Sequence, residues 1–480
     1  MTVKNKKTKG LSAGRKLFYT LAIAVASAVL TMLMIFNLSF TVDGTFSFIS
    51  DNALQSLAIF GGVALILSLY VFYLRASDAA TLGKRRNFII PAVGMIVVFL
   101  AQILLFDKTD LSFSPVVLCV LLTAVLVNRR AGMFINAISA ALSVLSLVLL
   151  GVHTGNTMAS LNLQSALTYF ISGALMVILL GKVHSRVGIV CTGSLVAILS
   201  YGVAFVLTFG VTQNADQALR IAFVCALGNM ASIVAFMFLL PLFEAAFKVC
   251  TDFKLNEYCN LSSPLLKKLA TEAPGTFSHS LVVSSLAESC AMAIGENVLL
   301  ARTASYYHDV GKLKNAMFFV ENQKGYNPHD ELIPSVSAKK ILSHTVYGHE
   351  LLKEYGFPDE ICDVALQHHG TTVAKFFYNK AMLITEGNVD KAEYSYVGPK
   401  PLSKIAAIVM ICDAAEAAVR AIKEQSISDV VRGIIKERLE EGQFADCPIT
   451  LKELETIGET VSNVLSYIHH KRISYKENLV

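Results

Sequence analysis

Seven histidine and aspartate side chains in the second half of the chain have the chemistry of metal ligands. They are His279, His308, Asp309, His344, His368, His369 and Asp413. Imidazole nitrogens and carboxylate oxygens together suit divalent transition metals such as iron, manganese or zinc better than magnesium, which prefers oxygen ligands and water. Nine of the eleven histidines lie after residue 270. The sequence therefore predicts a metal centre in this half of the chain.

The number of these side chains exceeds what one ion needs. Two octahedral ions that share one carboxylate would use all seven, with water or hydroxide in the remaining positions. Two ions about 3.5 to 4 Å apart generate a hydroxide nucleophile and clamp the oxygens of a phosphoryl group during in-line displacement. The residue types thus indicate hydrolysis at phosphorus.

Packed helices must bring these side chains together, because they are widely separated along the chain. From about residue 270 to 425 the pattern is helix after helix, interrupted by glycine and proline, and the strand signal is weak. The seven side chains could meet only if several helices packed their inner faces together. We expect an all-α domain over residues 271–480, preceded by a linker helix at 248–270.

The first half of the chain is a different kind of sequence. The whole chain is 54% hydrophobic and only 16% charged, whereas soluble domains average about 25% charged residues. Runs near the roughly 20 residues that a helix needs to cross a bilayer recur eight times, at 17–39, 54–74, 88–106, 113–128, 131–150, 165–181, 187–210 and 221–247. The fold class expected is all-α, with a polytopic helical membrane region at 1–247 followed by a cytosolic helical domain.

The orientation of the membrane region is predicted from its lysines and arginines. Basic residues such as Lys4, Lys6, Lys7 and Lys9 precede the first helix, and others follow each even-numbered helix. The alternate intervals, 40–53, 107–112, 151–164 and 211–218, hold Lys108 as their one lysine or arginine. We expect both termini in the cytoplasm and the protein in the cell membrane. A signal peptide, the alternative for the first helix, is disfavoured because its apolar run is too long.

The order H…HD…H…HH…D, with HDVGK at 308–312, resembles the HD-domain metal-dependent phosphohydrolases. One branch is closer, the seven-transmembrane HD-domain family of membrane-bound cyclic di-AMP phosphodiesterases. The segments that resemble it are PGTFSHS, YYHDVGKLK, FFVENQ, NPHD, LSH, QHHGTT and GQFADCPITLKEL. The resemblance covers the membrane core and everything after about residue 250. An HD dyad alone is a weak signal, whereas the ordered set with these flanks is specific.

The resemblance implies a role for each ligand. One ion would be held by His279, His308, Asp309 and Asp413, and the second by His344, His368 and His369, with Asp309 bridging the two. Asp309 and Lys312 would be catalytic, Lys312 as a fixed cation that faces the phosphate. The implied reaction is hydrolysis of cyclic di-AMP to linear 5′-pApA, with two divalent ions, manganese or iron, as cofactors.

Two departures from the family's pattern affect the interpretation. The branch normally has a large extracellular domain between its first two membrane helices, and this chain has only about residues 40–53 there. The related cyclic di-GMP phosphodiesterases carry a GYP signature after the paired histidines, where this chain has HHGTTVAKFF. The implied partners are a cyclic dinucleotide and the lipid bilayer, with a homodimer left open. The net charge of +5 is too small to suggest a nucleic acid polymer.

Two other functions stay open at this point. The protein could hydrolyse other cyclic dinucleotides or nucleotides, or it could be a sensor that binds a nucleotide without cleaving it. A degenerate, non-catalytic site should have lost at least one ligand, so the complete set disfavours the sensor. Transport is the weakest alternative, because no acid or base is placed in the membrane helices as a proton relay would need.

Several polar residues near the ligands are ambiguous. Glu321 could orient a metal ligand or nucleobase, or equally lie in a solvated loop. His329 is a candidate to support the site by hydrogen bonding, and Lys314 is equally a phosphate contact or a surface lysine. Glu416 and Arg420 are expected to form an i, i+4 pair on a helix. His349 is expected to support the site from outside the ligand set or to be solvated, whereas His469 and His470 are expected to form a polar helix end.

Overall fold

The computed structural model of the chain is almost entirely helical, which confirms the predicted fold class. It describes residues 13–39, 42–77, 84–105, 113–154, 156–181, 183, 185–387, 389–421 and 426–468. Within these residues the β-type pairing is an isolated antiparallel bridge between Val373 and Ser395. Some residues considered above lie outside the described part, namely Lys4, Lys6, Lys7, Lys9, Lys108, His469 and His470.

The chain divides into two compact units, Met1–Thr251 and Asp252–Val480. The helices described in the first unit are α1 Ala13–Ser39, α2 Val42–Asp51, α3 Ala53–Ser77, α4 Arg86–Leu105, α5 Val116–Leu126, α6 Arg129–Thr154, α7 Asn156–Leu180, α8 Arg186–Thr212 and α9 Ala215–Phe247. The interval between the first two predicted spans therefore contains the short helix α2.

Five stretches of the first unit's described helices are long and apolar enough to cross a membrane. They are Leu17–Phe36, Ala53–Ala76, Leu163–Leu180, Arg186–Thr212 and Ala215–Phe247. Shorter apolar stretches are Arg86–Ala101 and Val116–Leu126. The same criterion selects Pro274–Ile294 in the second unit, where that helix contributes to the hydrophobic core. The apolar helices support a membrane protein.

Helix α5 is shorter than the predicted span at 113–128. It has 11 residues, which is roughly 17 Å of helix against a hydrocarbon core of about 30 Å. Almost all of its side chains are buried by neighbouring helices. The polar residues after α5 favour a turn there, and in the structure Asn128 Oδ1 accepts a hydrogen bond from Ala131 N at 2.7 Å and α6 begins at Arg129.

Buried amides join helices of the first unit. Asn229 Nδ2 on α9 donates to Ser200 Oγ on α8 at 2.7 Å and to Ser172 Oγ on α7 at 3.3 Å. Asn136 Nδ2 on α6 donates to the carbonyl oxygen of Phe170 on α7 at 2.8 Å. In an apolar environment an amide needs such partners, so hydrogen bonds between helices account for these two residues.

The second unit consists of helices around one main hydrophobic core and a smaller second cluster. Its described α-helices are α10 Asp252–Tyr258, α11 Pro264–Glu272, α12 Pro274–Ile294, α13 Val298–Tyr307, α14 Pro334–Glu354, α15 Asp359–Gln367, α16 Lys375–Ile384, α17 Lys404–Ala421, α18 Ile427–Glu440 and α19 Leu451–Ile468. Short 3₁₀ helices lie at Val310–Phe318, Val320–Asn322, Pro328–Glu331 and Lys391–Tyr394. Helices α12, α17, α18 and α19 supply most of the core.

Candidate metal centre

The seven predicted ligands lie together inside the second unit, on or beside five helices. Their positions are His279 on α12, His308 and Asp309 at the end of α13, His344 on α14, His368 and His369 at the end of α15, and Asp413 on α17. Gly311 allows the turn after α13 to approach α14, because a Cβ atom at this position would lie 1.9 Å from the carbonyl oxygen of His344. The glycine of HDVGK thus brings ligands from two elements close together.

Four of the side chains form a first group, with ligand atoms within 4.8 Å of one another. His279 Nε2 lies 3.0 Å from Asp413 Oδ1 and 3.7 Å from Asp309 Oδ2. His308 Nε2 lies 3.4 Å from Asp309 Oδ2 and 3.8 Å from Asp413 Oδ1. All four residues are buried.

The other three, His344, His368 and His369, form a second group. The Nε2 atoms of His344 and His368 are 3.2 Å apart. Asp309 Oδ1 lies 3.3 Å from His344 Nε2 and 3.6 Å from His368 Nε2. One oxygen of Asp309 therefore faces the second group, while its other oxygen faces the first.

Backbone carbonyls select the tautomers of three of the histidines. The Nδ1 atoms of His308, His344 and His368 lie 2.7, 2.7 and 2.9 Å from the carbonyl oxygens of the residues three positions earlier. A carbonyl oxygen only accepts, so Nδ1 carries the proton and each Nε2 presents a lone pair to the interior. Facing lone pairs repel unless a cation lies between them.

These donors fit a metal. Two atoms bound to one ion at about 2.1 Å and at right angles are about 3.0 Å apart, close to the distance between the Nε2 atoms of His344 and His368. Asp309 Oδ1 and His308 Nε2 are also buried without a hydrogen-bond partner in the part of the chain that the structure describes. Divalent cations would satisfy these atoms, as the HD domain implies.

Glu416 supports His279, a role that the sequence analysis missed. The predicted pair of Glu416 with Arg420 is present, and the other oxygen of Glu416 lies 2.6 Å from His279 Nδ1. Glu416 is three residues after Asp413 on α17, and residues at this spacing share a helix face. That spacing could have indicated a carboxylate that orients a histidine ligand.

The charges of the site suit cation binding. Burial opposes ionisation, but Lys312 and His308 hold the pKa of Asp309 well below its usual value. Burial lowers the pKa of His368 to about 4 and holds that of His369 well below its usual value. His368 and His369 are therefore neutral and Asp309 is ionised at neutral pH, which are the forms that bind metals.

His279 differs from the histidines of the second group. Burial works to lower its pKa, but the carboxylates of Asp413 and Glu416 outweigh it and raise the pKa to about 10. Without a metal, His279 is therefore protonated at neutral pH. An ion bound in the first group must displace that proton.

Lys312 lies between two carboxylates. Its Nζ atom is 2.6 Å from Asp309 Oδ2 and 2.9 Å from Glu321 Oε1. Burial works to lower the pKa of Lys312, but these two carboxylates raise it, so the side chain is charged. Glu321 Oε1 also accepts a hydrogen bond from Thr276 Oγ1 at 3.0 Å. Glu321 is thus part of the site's support, one of the two roles left open for it.

A cavity of about 420 Å³ opens beside the ligands. Its polar lining includes His369, Asp413 and Arg438, and Phe377 is part of its apolar lining. Tyr396 also lines it, and its ring stacks on that of His369 with centroids 4.4 Å apart. The cavity gives a molecule larger than water access to the ligand groups.

Other polar residues lie outside the two ligand groups. His329 Nε2 donates to the carbonyl oxygen of Phe318 at 2.8 Å. His349 lies 4.0 Å from Asp363 and belongs to neither group. Lys314 is exposed, with its Nζ atom 4.7 Å from the centroid of the Tyr347 ring.

The fold and the ligand groups are those of a helical membrane protein with an HD-type domain. The family model described as 7TM receptor with intracellular HD hydrolase matches residues 53–251, and the HD domain model matches residues 276–418. The chain belongs to this family of membrane-bound HD hydrolases, as its motifs indicate.

Two bacterial proteins have sequences similar to this chain. The chain is 36% identical over 430 residues to the cyclic-di-AMP phosphodiesterase PgpH of Bacillus subtilis (strain 168), covering 86% of this chain and 59% of that protein. It is 37% identical over 439 residues to the protein of the same name from Listeria monocytogenes serotype 1/2a (strain 10403S), covering 87% and 58%. The chain thus spans somewhat more than half the length of these relatives.

A solved structure is also similar to the second half. It is the crystal structure of the HD domain of L. monocytogenes phosphodiesterase PgpH in complex with cyclic-di-AMP, 50% identical in sequence. The match covers 44% of this chain and 100% of that one, with a TM-score of 0.42.

Proposed function

We propose that this protein is a membrane-bound phosphodiesterase that hydrolyses cyclic di-AMP to 5′-pApA at a two-metal site. The observation that carries the proposal is the position of Asp309, whose two oxygens face two separate groups of ligands. A shared carboxylate is the arrangement expected of a pair of ions that acts on a phosphodiester. The names of the relatives at 36% and 37% identity support the choice of substrate.

The ligands divide between the ions as the resemblance implies. His279, His308 and Asp413 would hold one ion together with Asp309, and His344, His368 and His369 would hold the other. Imidazole and carboxylate donors without thiolates favour manganese or iron. When bound, such ions supply a nucleophile at neutral pH and neutralise charge on the phosphodiester.

The remaining work falls to the protein's own side chains. Glu416 holds the ring of His279, and backbone carbonyls hold those of His308, His344 and His368. Lys312 keeps a positive charge beside Asp309, where it can stabilise negative charge that develops on the phosphate. The cavity beside His369 is the route by which a dinucleotide would reach the ligands.

The membrane arrangement is part of the same proposal. Residues 1–247 would form the membrane region, 248–270 the linker and 271–480 the catalytic domain. Both termini would lie in the cytoplasm of a cell-membrane protein, as the distribution of lysines and arginines predicts. Cysteine scanning with a membrane-impermeant reagent at the loops 40–53 and 211–218 tests this orientation. If neither loop were labelled in intact cells, the proposed orientation would be contradicted.

Metal analysis and product identification on the purified chain test the enzyme. The wild-type protein should bind two ions and produce 5′-pApA, Asp309→Ala should lose both ions and turnover, and His344→Ala should lose one ion. His349→Ala is the matched control, because His349 belongs to neither group, and it should behave as the wild type. An Asp309→Ala protein that still bound two ions and cleaved the substrate would refute the assignment.

Comparison of substrates separates the main alternative. Rates with cyclic di-AMP and cyclic di-GMP, measured side by side on the same preparation, report the base preference directly. Equal rates would contradict selectivity for cyclic di-AMP and favour a broader cyclic-dinucleotide phosphodiesterase.

A further inference from the structure

The late segment GQFADCP contributes none of the seven ligands, yet its Gln443 side chain contacts the turn that directly follows the paired histidines. Gln443 follows α18 and is only 2% exposed. Gly442 has a φ of +65°, and the Gln443 N–H donates to the carbonyl oxygen of Arg438 at 2.9 Å. This turn after α18 directs the Gln443 carboxamide toward the paired histidines.

The carboxamide of Gln443 bonds to the turn that follows those histidines. Its Oε1 atom accepts from Thr371 N at 3.1 Å, and its Nε2 atom donates to Thr371 Oγ1 at 3.2 Å. Gly370 has a φ of +55°, and a Cβ atom there would lie 2.4 Å from Gln443 Oε1. The glycine and the glutamine therefore fit together directly after His369.

The same turn leads into the segment that places Tyr396. Tyr396 N donates to the carbonyl oxygen of Thr372 at 2.9 Å, and Ala374 N donates to that of Tyr394 at 2.7 Å. These bonds bring the Tyr396 ring onto the face of His369. The direction of the chain after His369 thus decides what packs on its ring.

His369 depends on this support more than the other histidine ligands do. His308, His344 and His368 each have Nδ1 held by a carbonyl of their own chain segment, and His279 is held by Glu416. In the described residues the ring nitrogens of His369 have no such hydrogen bond, and its Nδ1 atom lies 3.7 Å from Asp413 Oδ2. Its orientation therefore rests on backbone direction and ring stacking.

We propose that Gln443 is a positioning residue for His369, and through it for the ion of the second group. The inference rests on the proposed two-metal function, but it concerns metal affinity and not the choice of substrate. It gives the GQF segment, about 75 residues after the paired histidines, a physical connection to the site. Groups that orient a ligand typically change metal affinity or activity by about 10- to 100-fold when removed.

The test measures the Mn²⁺ affinity of the whole 480-residue chain in detergent, with thermal stability recorded alongside. Gln443→Met keeps the side-chain volume but removes both hydrogen bonds. It should lower the affinity for one of the two ions about 10- to 100-fold. Gln443→Glu keeps acceptors for Thr371 N–H and O–H and should restore most of that affinity. Thr450→Ala is the control, because Thr450 caps α19 through Glu453 N and has no contact with the turn.

The outcomes separate a positioning role from a general loss of stability. If Gln443→Met bound both ions as the wild type does, or only lost stability as Thr450→Ala does, the proposal would be overturned. If Gln443→Met folds poorly, Thr371→Val can be used in its place. This variant removes one of the two hydrogen bonds and should lower the affinity for the same ion by a smaller factor. A selective loss of affinity in a chain that leaves cyclic di-AMP intact would refute the proposed activity and still support the role of Gln443.

Discussion

Replacement of Glu416 tests whether a carboxylate outside the ligand set controls the first ion. Glu416 Oε2 lies 2.6 Å from His279 Nδ1, and both groups are buried. Glu416→Ala leaves the Nδ1–H of His279 without an acceptor, which costs about 1–3 kcal/mol for a buried donor. At about 1.4 kcal/mol for each factor of ten, the ion of the first group should bind about 10- to 100-fold more weakly.

Glu416→Gln resolves the contribution of charge. The amide oxygen still accepts from Nδ1, but the negative charge is lost, and hydrogen bonds to a charged group are roughly twice as strong as neutral ones. The loss of affinity, on a logarithmic scale, should therefore be about half that of Glu416→Ala. Calorimetric titration of the metal-free protein with Mn²⁺ measures the affinity of both variants, and elemental analysis gives the number of ions bound.

The pH dependence of binding gives a second measurement. In the metal-free protein Asp413 and Glu416 raise the pKa of His279 to about 10, so an ion must displace one proton below that pH. Affinity for the first ion should rise by up to about tenfold per pH unit between pH 7 and 9. Glu416→Ala removes one cause of the raised pKa and should flatten this slope.

Arg420→Met is the control that could refute the reasoning. Arg420 pairs with Glu416, but its side chain is 49% exposed, and pairs of this kind contribute little. We expect less than about a twofold change in metal affinity. If Arg420→Met lowered the affinity for the ion as much as Glu416→Ala did, the important contact would be the i, i+4 pair and not the bond to His279.

Three further variants test other contacts. Lys312→Met should retain both ions but lower kcat by about 10²- to 10³-fold, because it removes a fixed cation beside the phosphate; metal content and steady-state rates check this. Gly275→Ala should destabilise the protein by about 1–3 kcal/mol or more, since its Cβ atom would lie 1.9 Å from the carbonyl oxygen of Glu321; denaturant unfolding measures the change. Lys404→Met removes the main cause that lowers the pKa of Glu453 to about 2. That carboxylate stabilises the fold above about pH 4.5 and loses its effect as the pH falls toward 2, so the difference in melting temperature from wild type should shrink over this range.

Each of these three variants has a control. Lys314→Met removes an exposed lysine near the same turn and should leave kcat unchanged. Gly433→Ala adds a Cβ atom on α18 that meets nothing within 4 Å, and should stabilise by about 0.5–1 kcal/mol. For Lys404→Met, added salt should reduce the difference at neutral pH, because solvent reaches both partly exposed side chains of the pair. A lower kcat in Lys314→Met, a loss of stability in Gly433→Ala, or a Lys404→Met difference that salt leaves unchanged would each contradict the contact assigned to the corresponding variant.

Local features of the sequence were sufficient for the helical class and the apolar first half, and they singled out the seven side chains that we propose as ligands. Apolar runs, helical periodicity and turn residues act over a few positions, so the turn at Asn128 and the helices around each histidine follow from neighbours in the chain. The short length of α5 did not follow, because an apolar run looks the same whether lipid or other helices cover it.

Contacts between distant segments required the tertiary structure. The two oxygens of Asp309 face different ligand groups because α12, α14, α15 and α17 pack around one point. The bonds from Glu416 to His279 and from Gln443 to Thr371 join residues 137 and 72 positions apart. The spacing of Glu416 from Asp413 places both on one helix face, but no local pattern identifies His279 or Thr371 as the partner in these pairs. Glutamate and glutamine are also common on solvated helix faces, so only the packing of the helices decides which of them support the site.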